Sequence, residues 1–234
     1  PAHWATIGGG RPVDALAVLR DGRLGVSCDT CGVVLIEVGA GAMVVTATLE
    51  WHRFAVEALA VLPDGTLATG WQDGTVQVWN VRAPVCVVAK LVMYKCAVRT
   101  LVVLLDGRLA CVGYDSSVRL WDVATRACVG VLEGHPDSAS ALAVLPDGQL
   151  ACMSLDMTIW VWDMRPGATA AAAARGRAAG SVCGAVVAHL TSSPSAMVPL
   201  PDGRLACATK HNVIGTMLFL LDIPSPDAMH DEYR

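Results

Sequence analysis

The residues of this chain with chemistry to offer are nine cysteines, six histidines and a scatter of serines and carboxylates, and their spacing argues against most of that chemistry. Cys28 and Cys31 have the C-x-x-C spacing of half a zinc site. No second C-x-x-C and no His pair accompanies them, so no metal site is expected. Cys111, Cys152 and Cys207 each stand two residues after the Leu of a Leu-Ala-Cys, where another copy of the same phrase has Thr69, and Cys86 and Cys128 each lie seven residues after a Trp. Thiols locked to a repeat in this way read as small, buried apolar side chains. Their odd number, without disulfide-dense spacing, points to a reducing compartment, cytoplasmic or nuclear. His52 and Asp73 have the side chains of an acid–base dyad, but both sit at repeat positions. Ser192 and Ser193 lack the G-x-S-x-G context of a nucleophile elbow, and the glycines at 8 to 10 precede a strand, not a phosphate-cradling helix. The expectation is a chain without catalytic residues or cofactor.

The elements that must position any site come from the repeat itself. Leu-Pro-Asp-Gly-x-Leu-Ala and its variants recur with their Asp at Asp21, Asp64, Asp106, Asp147 and Asp202, in steps of 43, 42, 41 and 55 residues. A period in the low forties that ends on Trp-Asp fits a propeller blade of four short strands, which buries its faces only against its neighbours. In the second copy, alternation and β-branched content predict strands at 57 to 62, 66 to 71 and 75 to 81, with a fourth at 85 to 91. Asp64-Gly65 and Asp73-Gly74 supply the positive-φ residues of two-residue hairpin turns. The inner strands of the five copies are predicted at 14 to 19, 57 to 62, 98 to 104, 139 to 145 and 196 to 200.

These residues resemble the WD40-repeat β-propellers. The resemblance rests on Gly134-His135, on Trp121-Asp122 and Trp162-Asp163, on the variant Trp79-Asn80, and on Asp73, Asp115 and Asp156 in the tight second turn. It implies an all-β propeller of WD40 type with five four-stranded blades, at about 8–49, 50–92, 93–132, 133–188 and 189–223. It also implies a buried His, Ser or Thr, Asp and Trp tetrad. Only the second copy holds all four, as His52, Thr69, Asp73 and Trp79, which assigns His52 and Asp73 a structural role. The fourth copy has His135, Asp156 and Trp162 with Cys152 in place of the hydroxyl, and the third has Tyr94 for the His beside Asp115 and Trp121. The second blade is therefore expected to be the most rigid, because a buried carboxylate without donors is costly.

The ends of the array depart from the pattern, with Ile36-Glu37 and Leu221-Asp222 replacing Trp-Asp. The long fourth step holds an Ala-rich, low-complexity loop at 167 to 180, ahead of an outer strand placed near 181 to 188. Residues 224 to 234 read as a loose, polar tail. Residues 3 to 7 are placed to complete the fifth blade, so a closed five-blade ring is preferred to an open arc of a seven-blade propeller. The chain opens on Pro rather than Met and shows no charged-then-apolar leader, which reads as an excised or incomplete segment.

Function must then lie on a surface. The net charge of −4 is scattered, with no basic stripe for phosphates, and the apolar runs are too short to span a bilayer, so neither nucleic acid nor membrane is an expected partner. A protein partner is expected, bound by a domain that is monomeric in isolation. By the resemblance, Gln72, Tyr114 and Leu155, each just before a second-turn Asp, face the rim around the central channel. Trp71 and Trp51 add aromatic area of the kind that anchors interfaces, against an ordinary reading of packing between blades. Trp160, on the strand parity of Trp162, reads as packing. Finally, Trp162-Asp163-Met164-Arg165 resembles the Trp-Asp-x-Arg motif of WD40 substrate receptors of cullin–RING ubiquitin ligases, with Asp156 and Ile159 fitting its longer form and Trp79-Asn80-Val81-Arg82 an imperfect second copy. In those receptors the Arg reaches the ligase adaptor, whereas the ordinary reading of Arg165 and Arg82 is a solvated side chain ending a strand.

Overall fold

A computed structural model describes residues 13–28, 32–39, 43–49, 54–92, 97–115, 117–132, 138–165, 184–190, 192–211 and 215–225. The chain divides into two compact units, Pro1–Leu101 and Val102–Arg234. The first holds two antiparallel sheets in simple up-and-down order. One is β1 (Val13–Val18), β2 (Leu24–Cys28), β3 (Gly32–Val38) and β4 (Met43–Leu49); the other is β5 (Val56–Val61), β6 (Leu67–Trp71), β7 (Thr75–Asn80) and β8 (Cys86–Val92). A third sheet begins with β9 (Val98–Val103), in which the division falls, and continues through β10 (Leu109–Gly113), β11 (Val118–Asp122) and β12 (Ala127–Leu132). The second unit adds β13 (Ala139–Val144), β14 (Gln149–Ser154), β15 (Thr158–Asp163) and β16 (Gly184–His189). Its last sheet is β17 (Ser193–Pro199), β18 (Leu205–His211) and β19 (Gly215–Leu221). Each sheet is a propeller blade, and the five inner strands begin within three residues of their expected starts.

The fifth blade shows three strands among the described residues. Residues 3 to 7, on which the ring closure was argued, lie outside the described residues, as do the Ala-rich segment at 167 to 180 and the tail from 226 onward. Pro224, assigned to the loose tail, is held instead. Its carbonyl accepts from Nε2 of the fully buried Gln149 at 3.2 Å.

The hairpin turns differ from the two-residue form expected of Asp-Gly. Leu62 N–H donates to the Thr66 carbonyl and Gly65 N–H to the Leu62 carbonyl, both at 2.9 Å, so Pro63, Asp64 and Gly65 form a three-residue loop. Only the Gly takes positive φ, at 87°. This is a type I turn closed by a glycine bulge, and Asp64 serves as a cap: its Oδ1 accepts from Thr66 N–H at 2.9 Å. Asp21, Asp106, Asp147 and Asp202 cap the equivalent N–H in the same way. Three of the loops add an Arg two residues on, pairing with the same Asp at 2.7 Å in Asp21–Arg23, Asp106–Arg108 and Asp202–Arg204.

The larger cores lie between sheets, while a small cluster of Val26, Val34 and Ile36 belongs to the first sheet alone. In the first unit Leu35 and Leu49 of one blade pack with Leu67, Trp71 and Trp79 of the next. In the second, Ala110, Val112 and Leu120 meet Leu142, Leu150 and Trp162 across one junction, and Met153 and Val161 meet Leu205 and Cys207 across another. Middle strands are covered on both faces, so β6, β10 and β14 are buried at every position, while the outer strands β8 and β12 are mostly exposed. This corrects one expectation. Cys111, Cys152 and Cys207 are buried as their repeat position suggested, but Cys86 and Cys128 are exposed, because they are the first and second residues of outer strands whose opening residues are all exposed.

Candidate functional site

The second turns of the blades share a closure that sequence reading did not isolate. Asp73 Oδ1 accepts from both the N–H and the hydroxyl of Thr75, at 3.0 and 2.6 Å. Asp156 does the same with Thr158, and Asp115 with Ser117, where its second oxygen also meets Arg119 at 2.7 Å. The signal was present as Asp-x-Thr or Asp-x-Ser in all three copies. Such a turn holds the preceding residue outward at little entropic cost. Gln72 is exposed and tied by its Nε2 to Glu57 at 3.1 Å, while its backbone N–H donates to the Ala55 carbonyl. Tyr114 and Leu155 are 46% and 43% exposed. Ser138 links their two turns, its carbonyl accepting from Leu155 N–H at 3.0 Å and its hydroxyl donating to the Tyr114 carbonyl at 3.5 Å. Met157 adds a further exposed apolar side chain on a left-handed backbone, φ 70°.

Beneath the second turn of β6 and β7 lies a hydroxyl hub. Thr69, fully buried, donates from Oγ1 to the Gln77 carbonyl at 3.2 Å and accepts from the indole N–H groups of Trp71 at 2.9 Å and Trp79 at 3.1 Å. Trp71 therefore offers nothing to a partner. Its side chain has no exposed surface, and the reading of it as an interface anchor is corrected. Trp51, His52 and His135 lie outside the described residues, so the histidine arm of the tetrad is not on view. In the third blade Cys111 takes the place of Thr69, its thiol donating to the Arg119 carbonyl at 3.3 Å, and the buried Trp121 N–H finds no acceptor among the described residues. Trp162 is fully buried and stacks on the half-buried Trp160 with ring centres 6.2 Å apart, the packing role expected of Trp160.

Burial raises the Cys152 thiol far above its ordinary value, with the Asp156 charge adding to the shift, and raises Cys207 to about 11. Neither supplies a thiolate at neutral pH. Ser192 is buried with its hydroxyl on Thr209 at 2.6 Å, and the side chain of Ser193 lies outside the described residues. Among the described residues no group of three or more His, Cys, Asp or Glu is arranged to hold a metal, and no helix is long and apolar enough to cross a membrane.

The model of the family described as "WD domain, G-beta repeat" matches residues 43–80, 87–122 and 126–163. This chain belongs to the WD40-repeat family. Each match begins at the outer strand of one blade, near β4, β8 or β12, and ends on the third strand of the next, so the sequence repeat is staggered by one strand against the blade. No curated protein sequence matches significantly. Among solved structures, the WD40 chain is similar to the crystal structure of RRP9 WD40 repeats, with TM-score 0.72, 19% identity, 93% of this chain covered and 62% of that one. It is also similar to the structure of U3-55K (0.71, 19%, 91% and 62%) and to a chain of the mitotic checkpoint complex (0.65, 20%, 94% and 68%). The chain spans 62% of the length of the first two.

At the other end of these WD40 blades stand Arg82 and Arg165. Arg82 is exposed, its backbone N–H donating to Asn80 Oδ1 at 3.1 Å. Arg165 is folded back on the nearly buried Asp163, donating from Nε to Oδ1 at 3.0 Å and from Nη2 to Oδ2 at 2.9 Å, and its side chain is 39% exposed. It borders an open cleft of about 270 Å³ floored by Leu104, Leu105 and Met164. The bidentate pair fixes the guanidinium in place and uses part of its donor capacity inside the chain.

Proposed function

We propose that this WD40 chain is a non-catalytic interaction scaffold or adaptor that engages protein partners at the second turns of its blades, with Gln72 the candidate contact of the first unit and Tyr114 and Leu155 those of the second. One observation carries the reading. Tyr114 and Leu155 are large apolar side chains close to half exposed, on adjoining turns pinned through Ser138. A Tyr held by a rigid turn adds contact area while losing little rotamer entropy, the property of an interface anchor. The names of the solved neighbours fit this reading, one of them being that of an assembled checkpoint complex. In this proposal the partners are proteins rather than nucleic acid or membrane, and the setting is intracellular, cytoplasmic or nuclear.

Arg165, half exposed beside the Leu105 cleft, is the test residue for the alternative of a cullin–RING substrate receptor. Crosslinked affinity capture with wild type, Tyr114→Ala with Leu155→Ala, and Arg165→Ala separates the two. The rim reading expects partners to be lost with the double substitution and kept with Arg165→Ala. Retention of every partner by the double variant removes it, and loss of a ligase adaptor with Arg165→Ala alone moves the function to the receptor class.

A further inference from the structure

Within the first unit the fold brings two arginines to one point. Arg20 directly precedes the turn residue Asp21 of the first blade, and Arg82 lies three residues after Trp79 of the second. They flank Gly65: a β-carbon on that glycine would stand 3.6 Å from Arg20 Cδ and 3.7 Å from Arg82 Nη2. Both arginines are exposed, and among the described residues neither guanidinium makes a hydrogen bond or an ion pair. Arg23, close by in sequence, is committed. Its Nε and Nη2 hold Asp21, and Nη2 also donates to the Val81 carbonyl at 2.6 Å, which ties the two blades together beside the pair. The charge of Arg20 acts on Asp64, but Asp64 Oδ1 is taken by the N–H and hydroxyl of Thr66. Like charges held this close repel, and an anion shared between them removes the repulsion.

The second unit repeats this geometry with different chemistry. A β-carbon on Gly148 would stand 3.5 Å from Leu105 Cδ1 and 3.6 Å from Arg165 Cγ, so Leu105 takes the place of Arg20 and Arg165 that of Arg82. There Asp163 draws the guanidinium into its bidentate pair. In the second blade the residue is Asn80, whose Oδ1 accepts from the Arg82 backbone N–H and carries no charge to hold the side chain. The departure from Trp-Asp thus releases Arg82. The equivalent residues between the second and third repeats are Pro63 and Ala124, and between the fourth and fifth Pro146 and Pro224, so no other consecutive pair of repeats brings two cations together.

We propose that this junction binds an acidic segment of a protein partner, one carboxylate of which bridges the Arg20 and Arg82 guanidiniums beside Gly65. Paired guanidiniums present forked donors that match a carboxylate, and arginine clusters are a recurrent receptor for acidic peptides. Local charge selects the class. Arg20, Arg23 and Arg82 against Asp21 and Asp64 leave a single positive charge, which a carboxylate matches and a doubly charged phosphate exceeds. The site stands at the end of the second blade opposite Gln72 and does not depend on the second-turn reading.

The test follows the arginine Nε–Hε signals of the isotopically labelled chain by NMR as a blocked Gly-Ser-Glu-Ser-Gly peptide, whose glutamate is its single charge, is added to about 20 mM, ample for a dissociation constant on the order of 1 mM. Signals are assigned by their loss in Arg20→Gln and Arg82→Gln, substitutions at exposed positions that are expected to keep the wild-type circular dichroism. The Arg20 and Arg82 signals are expected to move together and saturate with the glutamate peptide, to stay in place with its glutamine counterpart, and to leave Arg165 unmoved. Arg82→Gln should weaken the binding read at Arg20 by about fivefold or more. Asn80→Asp keeps both arginines and supplies the carboxylate that Asp163 gives Arg165; it should weaken binding by a similar factor, and it replaces Arg82→Gln if that variant does not fold. The proposal is overturned if neither signal moves, if the glutamine peptide moves them as far, or if the folded variant binds as tightly as wild type. It is equally overturned if a phosphoserine counterpart binds more than about tenfold more tightly than the glutamate peptide, which would make the site one for phosphate.

Discussion

Replacing Thr69 by Val exchanges one hydroxyl for a methyl group of nearly the same shape and removes the acceptor shared by two buried indoles. In the native chain that oxygen makes three hydrogen bonds of 2.9 to 3.2 Å, two accepted from Trp71 and Trp79 and one donated to the Gln77 carbonyl. Stripping a buried donor of its partner costs about 1–3 kcal/mol, and Trp71 and Trp79 are 0% and 3% exposed, so water has little access to replace it. Burying the added methyl returns about 0.8 kcal/mol. With two indole donors stripped, the expected net loss is roughly 1–5 kcal/mol, centred on about 3, which with a urea slope of roughly 2–3 kcal/mol per molar lowers the midpoint by about 1 M. Thr69→Ser keeps the hydroxyl and should lose only the methyl packing. The third blade provides the converse, since Cys111 faces Arg119 as Thr69 faces Gln77, and Leu109 faces Trp121 as Leu67 faces Trp79. Cys111→Thr should give the Trp121 N–H its acceptor and stabilise by about 1 kcal/mol. Urea melts followed by tryptophan fluorescence decide the matter. If Thr69→Val costs no more than Thr69→Ser, the hydroxyl is not the hub and the reasoning fails.

Three further outcomes follow from the geometry. Met157 sits at φ 70°, where a side chain costs about 1–2 kcal/mol, so Met157→Gly should raise the thermal midpoint and Met157→Val lower it; the reverse order would mean that the turn relaxes freely. Site-resolved alkylation of the native chain should label Cys86 and Cys128 rapidly and spare Cys111, Cys152 and Cys207 until urea is added, and early labelling of Cys207 would contradict the burial that raises its thiol to about 11. The Arg23 side chain, hydrogen bonded to Asp21, holds that carboxyl below its ordinary value of 3.8, so the contribution of Asp21 to stability is present above that value and lost as pH falls through the depressed one. Arg23→Gln should move the Asp21 titration, read by NMR, up toward 3.8; an unmoved midpoint would assign the shift to another cause.

The sequence by itself determined the blade. Asp-Gly punctuation, period-two alternation and the Trp spacing are local signals, and hairpins form from local contacts, so the inner strands lie where those signals put them, β5 within one residue of its prediction. Even the missed turn closures, Thr75, Ser117 and Thr158, were legible as Asp-x-Thr or Asp-x-Ser. Which face of a strand is covered was not legible, because a period of two names two faces and leaves their neighbours unstated. Cys86 keeps the repeat as faithfully as Cys111 does, yet one is exposed and the other buried, since an outer strand and a middle strand carry the same alternation but not the same packing. Trp71 looked like an anchor for a partner until the Thr69 hydroxyl and the core around Leu35 and Leu67 enclosed it. Tyr114 and Leu155 were placed on turns by sequence, but their proximity depends on Ser138, which reaches both turns from the start of a neighbouring strand. Only packing between sheets decides such matters, because burial is a property of what stands opposite a residue and not of the residue itself.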